Sequence, residues 1–555
     1  MQALTMLGIS IYALVFLSCV QAVSFSHAEI TLDAQTTYQT ITGWETTGGI
    51  GQSDLPNEFL SWRDAAIEQA IELGINRIRL EVRSGSENPV DYYTPYINGQ
   101  ASRDSWRQHS YEIINDDSDS FTINPRGFNF AEMDHRIEYV VNPFRQRLAA
   151  RGESLLVNLN YVDFGSSNFR HRDAPEEYAE FILATYKHIQ SKYGWVPDFV
   201  EVVLEPNNAG WSAVQVGRAI VAAASRLRDN GFRPAFIAPS TSGMSSAVSY
   251  FDQLIQVPGA LDNISELAYH RYGGVSDTAL QSIASRATQH GINTAMLEHI
   301  GSGYEELHKD LKMGRNSAWQ QYTLAYPTSD NGAQYFFIDR RTPSNPAVNI
   351  GRRTKFLRQY FKFIKRGARR IEATSDDSNL DPLAFINTDG KYVVVVKAEG
   401  AGTFTLRSLP AGTYGIKYTT ASQYDVDSPD VTLNAGEPLS ASIPDEGVIT
   451  VYAKQTSQVP PGDQAVIEQC RLERSSSGKY TLTLIGRNFK AGAKVTINGA
   501  KGKKLRFKDE VQPGQGIFTR LEVKKKVCGS LPGPIIITNP GGQPSAPFQF
   551  SESCQ

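Results

Sequence analysis

Cysteine is scarce in this chain: four in 555 residues. Cys19 lies in the apolar opening stretch, and Cys470, Cys528 and Cys554 all fall in the last ninety or so positions. A disulfide framework for the whole protein is therefore excluded, and the large N-terminal part must hold itself together by its core. The three late cysteines confine any bridge to a C-terminal module, where Cys528 is expected to pair with Cys470 or Cys554. No Cys-x-x-Cys or Cys/His cluster exists, and the nine histidines are scattered, which argues against a zinc site and against any resident cofactor. Net charge is small, −3, so there is no global basic field for nucleic acid. Internal repeats and low-complexity tracts are also missing.

Long apolar runs are missing too, apart from Met6–Val20. Small residues follow that run, with cleavage sites after Ala22 or Ala28, so it reads as a secretory signal peptide although its start has no Lys or Arg. The run is shorter than the ~20 residues of a membrane span, and the expected protein is secreted or periplasmic, with no stable membrane insertion once the signal is removed.

What is present is an alternation. From Ile41 to about Gly367 apolar strand-like runs and helix-period stretches succeed one another about eight times, the signature of a (β/α)8 barrel. Strands are expected at Asn76–Val82, Ser154–Leu159, Phe199–Glu205, Ala235–Ala238, Glu266–Tyr269, Asn293–Leu297 and Gln334–Ile338, with Ser317–Tyr326 as a helical stretch. A long aperiodic segment, Arg83 to about Gly127, carries Tyr92, Tyr93, Tyr96, Trp106 and Tyr111 and is expected to wall a site. Beyond Gly367 short strands parted by turns argue for a β-sandwich, completed by the strands before residue 42. Pro460-Pro461-Gly462 marks a linker, and the last module is all-β and basic, with fifteen Lys/Arg against six Asp/Glu. The expected divisions are 1–28 signal, 29–42 first sandwich strands, 43–367 barrel, 368–455 sandwich, 456–464 linker and 465–555 C-terminal domain.

Barrel active sites form at the carboxyl ends of the strands. The residues expected there are Trp44, Arg79, Asn160, Tyr161, Glu205, Asn208, His270, Tyr272 and Glu298. Glu205 and Glu298 each end an apolar run, on strands four and seven, which face each other across the mouth. Two carboxyls so placed suit glycoside hydrolysis, one donating a proton to the leaving oxygen and the other meeting the oxocarbenium-like carbon. Arg79 and Tyr272 are expected to keep Glu298 ionised, and Glu205 to have its pKa raised by desolvation.

At these residues the chain resembles the glycoside hydrolases of clan A, most closely family 30. The resemblance rests on Ile41-Thr42-Gly43-Trp44, Leu73-Gly74-Ile75-Asn76-Arg77-Ile78-Arg79, Val203-Leu204-Glu205-Pro206, Tyr269-His270-Arg271-Tyr272, Leu297-Glu298, Tyr360 to Ala368, and Ala384-Phe385-Ile386-Asn387. It implies a (β/α)8 barrel with a sandwich built from both flanks, and a retaining β-glycosidase acting on an oligo- or polysaccharide. Glu205 matches the acid/base, Glu298 the nucleophile, and Arg79 and Tyr272 nucleophile-side contacts. Trp44, Asn160, Tyr161, Asn208 and His270 are taken as substrate contacts. Leu204 stands where the family has an Asn that contacts the sugar 2-hydroxyl, and the tryptophan-rich stretch after the third strand is missing. The competing reading is therefore a catalytically silent carbohydrate-binding or adhesion protein on the same scaffold. The last module resembles an immunoglobulin-like IPT/TIG domain through Leu482 to Phe489, Val495 to Gly499 and Asn539 to Gly542. That leaves open a cell-surface or glycan contact there.

Overall fold

The computed structural model describes residues 28–342, 345–456, 465–475, 480–510, 517–525, 531, 533–540, 545 and 548–550. The signal peptide expected at the N-terminus and the pairing expected of Cys528 lie outside these residues. The chain opens with β1 (Ala28–Thr40) and then builds a barrel from β2 (Gly43–Thr47), β3 (Arg77–Arg83), β4 (Leu156–Val162), β5 (Phe199–Glu201), β6 (Ala235–Thr241), β7 (Ile264–His270), β8 (Asn293–Glu298) and β9 (Asn316–Tyr326). Every neighbouring pair is parallel, and β9 pairs with both β8 and β2, so the eight strands close on themselves. Helices cover the outside. One of them, Leu60–Leu73, ends at Gly74 with φ 110°, where an added Cβ would meet the Phe361 carbonyl, so the turn into β3 needs glycine.

Two expectations are corrected here. The eighth strand is Asn316–Tyr326, which the sequence suggested as a helix; the strand expected at Gln334–Ile338 is β10 (Gln334–Asp339), which joins β9 outside the closed ring. Ala, Gln and Leu at 318–324 favour helix locally, but pairing on both sides and burial of nearly every residue override that preference. The fourth strand stops at Glu201, and the chain from Val202 to Leu204 runs on through single bonds to Ile237 and Tyr161.

After the short β11 (Ala347–Ile350) and a helix at Arg352–Phe361 come β12 (Arg369–Ser375), β13 (Leu380–Ile386), β14 (Tyr392–Ala398), β15 (Gly402–Arg407), β16 (Gly412–Thr420), β17 (Val426–Leu433), β18 (Leu439–Ile443) and β19 (Gly447–Thr456). They form one nine-stranded sheet with β1, which lies between β12 and β15. Its inner residues Leu383, Phe385, Val393, Val395 and Val448 belong to the same apolar core as the barrel, and Trp44 stacks on Phe361 at 4.4 Å between ring centres. The described C-terminal strands form two further four-stranded sheets around a core of their own, including Leu482, Leu484, Val495, Leu521 and Ile535.

Candidate active site

Inside the barrel, polar side chains stack in layers because inward positions recur every second residue. In the lower layer the fully buried Arg77 bonds Glu45 and both carboxylate oxygens of Glu266, at 2.8 and 2.9 Å. Asn158 bridges Glu45 and Glu201 at 3.0 and 2.9 Å. The next layer toward the carboxyl ends holds Arg79, also fully buried, whose Nη2 donates to Glu298 Oε2 at 2.5 Å. Tyr272 Oη donates to the other oxygen, Oε1, at 3.0 Å. Burial alone would lower the Arg79 pKa, but Glu298, Glu201 and Glu81 more than offset it and keep the guanidinium charged. Burial, with Glu298 beside it, pushes the Tyr272 hydroxyl up, so it stays a donor.

Glu298 reaches this position through a β-bulge. Tyr269 pairs with Met296, but His270 pairs with Glu298, so Leu297 is the extra residue and the strand end is re-aimed beside His270. Glu205 arrives by a different route. It follows the end of β5 with φ +46°, in the left-handed region that a glutamate seldom adopts, and begins a turn closed by bonds from Asn208 and Ala209 to its carbonyl. His270 Nδ1 lies 2.8 Å from Glu205 Oε1, and Asn208 Nδ2 donates to Oε2 at 2.7 Å. Asn207 and Ser242 brace that turn.

The expected rise in the Glu205 pKa is corrected. Burial does push it up, but the hydrogen bond and charge of His270, with help from Asn208 and Arg79, outweigh burial and leave it below the usual value. Trp44 and Tyr161 are corrected as well, because both point away from the barrel interior. Trp44 is fully buried, with Nε1 on the Ile364 carbonyl at 2.8 Å. Tyr161 is fully buried against the outer helices with its hydroxyl 2.7 Å from His171 Nδ1. Their neighbours Glu45 and Asn160 occupy the inward positions instead. Asn160 is fully buried, and neither atom of its amide has a hydrogen-bond partner.

A cleft of about 430 Å³ is lined by Thr47, Gln52, Glu81, Trp106 and Tyr322 among others; Glu205 and Glu298 are not part of its lining. Glu81 lies 3.7 Å from Arg79, and it is held near pKa 2 by Arg136 and Arg79 despite its burial. Burial, together with Glu81 and Glu298, raises Tyr322 to about 12. Tyr322 went unnoticed in the sequence because its strand looked helical. Trp106 stacks on Tyr96 and meets Tyr93 edge-on, so part of the aromatic segment packs on itself and presents one tryptophan to the cleft.

Among the described residues, two groups bring three metal-capable atoms within 4.8 Å of one another: Glu205, His270 and Glu298, and Glu87, Asp116 and Glu177. In the first group both oxygens of Glu298 already accept bonds, one of them from an arginine, an arrangement suited to a paired carboxylate and poor for a cation.

Residues 367–413 match the family model for the glycosyl hydrolase family 30 beta sandwich domain. The fold is that of family 30 glycoside hydrolases. A GH30 endoxylanase from Clostridium papyrosolvens is similar over 77% of this chain and 100% of its own, at 18% identity and TM-score 0.53. The catalytic domain of GH30 xylanase C from Talaromyces cellulolyticus is similar over the same shares, at 16% identity and TM-score 0.55. An endo-beta1,6-glucanase is similar over 78% of this chain and 96% of its own, at 15% identity and TM-score 0.55. No curated protein matches this chain in sequence.

Proposed function

We propose that the chain is a secreted retaining β-glycosidase that hydrolyses a glycan by double displacement, with Glu298 as nucleophile and Glu205 as acid and base. The observation that carries this reading is the spacing of the two carboxylates, with oxygens within 4.8 Å of each other. Retaining enzymes hold their pair at roughly 5–5.5 Å, whereas inverting ones need roughly 6.5–9.5 Å to admit a water. The surroundings of each group support its role. Arg79 and Tyr272 donate to the two oxygens of Glu298 and fix its orientation for attack on the anomeric carbon. Among the described residues no arginine is bonded to Glu205, and burial is already its largest influence. A sugar covering it removes more water and moves its pKa up, toward the protonated form that a general acid needs.

In the first step Glu298 bonds to the anomeric carbon as the glycosidic C–O bond breaks, and Glu205 gives its proton to the departing oxygen. In the second, Glu205 takes a proton from water, which displaces Glu298. Asn208 and His270 both contact Glu205, and Asn208 stands in for the amide that Leu204 cannot supply. Family 30 xylanases and an endo-beta1,6-glucanase share this fold, so the fold leaves the sugar open.

The test compares Glu205→Ala and Glu298→Ala on aryl β-glycosides of graded leaving group. Glu205→Ala should slow poor leaving groups far more than activated ones, and azide should restore turnover with net retention. Glu298→Ala should lose both, with azide giving inverted product. Equal impairment of the two variants on all leaving groups, or rescue with the opposite stereochemistry, would mean that the roles are wrongly assigned or that the chemistry is not retaining hydrolysis. Binding without turnover in the unaltered protein would favour a silent carbohydrate-binding protein, the reading prompted by Leu204.

A further inference from the structure

The long segment after β3 and the loop after β4 both leave the carboxyl ends of barrel strands, the end at which Glu205 and Glu298 lie. The two are locked to each other. Ser167 Oγ accepts from the Ile113 amide at 3.0 Å and donates to the Tyr111 carbonyl at 3.1 Å, and Ser84 Oγ donates to Asp163 at 3.1 Å. Gly165 permits this closeness, since a Cβ there would lie 2.6 Å from the Tyr111 carbonyl oxygen. Between segment and loop runs a groove of about 890 Å³. Tyr111, Ile114 and Phe164 supply apolar lining, with Phe164 42% and Ile114 44% exposed, and Gln108, Ser166 and Asn168 supply polar groups. Phe164 meets Tyr111 edge-on at 6.0 Å, and the Tyr111 hydroxyl accepts from Arg83 Nη1 at 3.1 Å, which anchors the ring pair to the end of β3.

The groove continues toward the carboxylates. A smaller hollow shares His109 with the groove, and shares Arg83 and Trp106 with the 430 Å³ cleft. Cleft, hollow and groove therefore follow one another along the segment. At the cleft's inner end Glu81 lies 3.7 Å from Arg79, which bonds Glu298.

We propose that the groove is a distal subsite for the glycan that the carboxylates cut, so that the enzyme cleaves within polysaccharide chains. This rests on the glycosidase reading above. Phe164 and Ile114 leave apolar surface in water at a concave site, which favours a ligand that covers it. A pyranose has an apolar C–H face that covers such a ring, and hydroxyls around its edge that pair with amides and hydroxyls like those of Gln108, Ser166 and Asn168. The groove's volume falls within the roughly 300–1,000 Å³ of small-molecule sites. Its walls are already hydrogen-bonded together, so binding orders little that was loose. A terminal sugar held at the carboxylates cannot also reach a groove that lies beyond both cleft and hollow, whereas a polymer lying along all three uses each.

The full chain, Phe164→Ala and Ser166→Trp would be run on native gels containing soluble xylan, mannan, galactan, β-glucan or pectin, and affinities taken from the retardation. At least one polymer should retard the unaltered protein. Phe164→Ala, which removes the ring, should bind that polymer about 3- to 10-fold more weakly, and Ser166→Trp, which fills the groove, should do so as well. Turnover of aryl β-glycosides, too short to reach the groove, should be unchanged, and early products from the polymer should be oligosaccharides of mixed length. Retardation by no polymer, equal retardation of all three proteins, or release of single sugars alone overturns the proposal. Retardation weakened in both variants with no turnover of any substrate would support the groove as a glycan site and overturn the glycosidase reading instead. Should Phe164→Ala not fold, Ser166→Trp, at an exposed position, decides.

Discussion

His270 governs the protonation of Glu205 through one contact of 2.8 Å. A general acid works only while protonated, so the basic limb of kcat/KM follows the pKa of Glu205 in the free protein. That pKa lies below the ordinary carboxylate value, so the limb should fall at acid pH. Replacing His270 with Leu removes both the hydrogen bond and the charge that lower it and leaves burial opposed mainly by Asn208. The limb should then move to higher pH in a pH–rate profile, while turnover of activated aryl substrates, which need little protonation, falls less. An unmoved limb would mean that Glu205 is not the acid. That the two carboxylates meet was legible from where their apolar runs stop, but the balance at Glu205 was not. It depends on a histidine 65 positions away, and on a positive φ that no apolar pattern announces. Trp44 and Tyr161 failed as substrate contacts for a simpler reason. Each adjoins a residue that does point inward, and alternation allows only one of two neighbours to do so.

Among elements, the lower barrel layer ties β2, β3 and β7 together through Arg77, Glu45 and Glu266, all less than 2% exposed. Removing one member of such a group strands the others as uncompensated buried charges, at a cost of about 3–5 kcal/mol. Arg77→Met should therefore destabilise the barrel by that order in denaturant unfolding. Adding Glu45→Gln and Glu266→Gln should recover part of the loss, because the stranded charges disappear. If the single variant unfolds at the same denaturant concentration as the unaltered protein, the layer is not an electrostatic unit. The strands themselves were readable where Val, Ile and Leu are frequent, as in β3 and β4. They were misread in β9, whose Ala, Gln and Leu carry no β preference, because closure of the ring is information from the other seven strands. The arginines of β3 signalled inward partners, but which acids they meet depends on strands 189 and 219 positions further on.

At the scale of the whole molecule, the sandwich and the barrel are one folding unit, and the C-terminal strands are another. β1 is the sequence neighbour of the barrel's first strand, yet it lies in the sandwich sheet between β12 and β15. Ile41 and Ala368, at the two ends of the barrel, are joined by a backbone bond of 2.8 Å. Asn387 reaches from the sandwich to the Phe363 carbonyl, Thr450 to that of Gln359, and the two parts share an apolar core. The strands beyond residue 465 have a separate core. A chain ending at Thr456, the last residue of β19, should therefore fold, unfold cooperatively and keep its activity on small glycosides. A chain ending at Gly367 should not, because it exposes the apolar face that Phe385, Val393 and Val448 cover and leaves β1 without either sheet partner. Circular dichroism melts of the two truncations distinguish these outcomes. A cooperative transition in the shorter chain, or its loss in the longer one, would show that the unit boundary has been drawn in the wrong place.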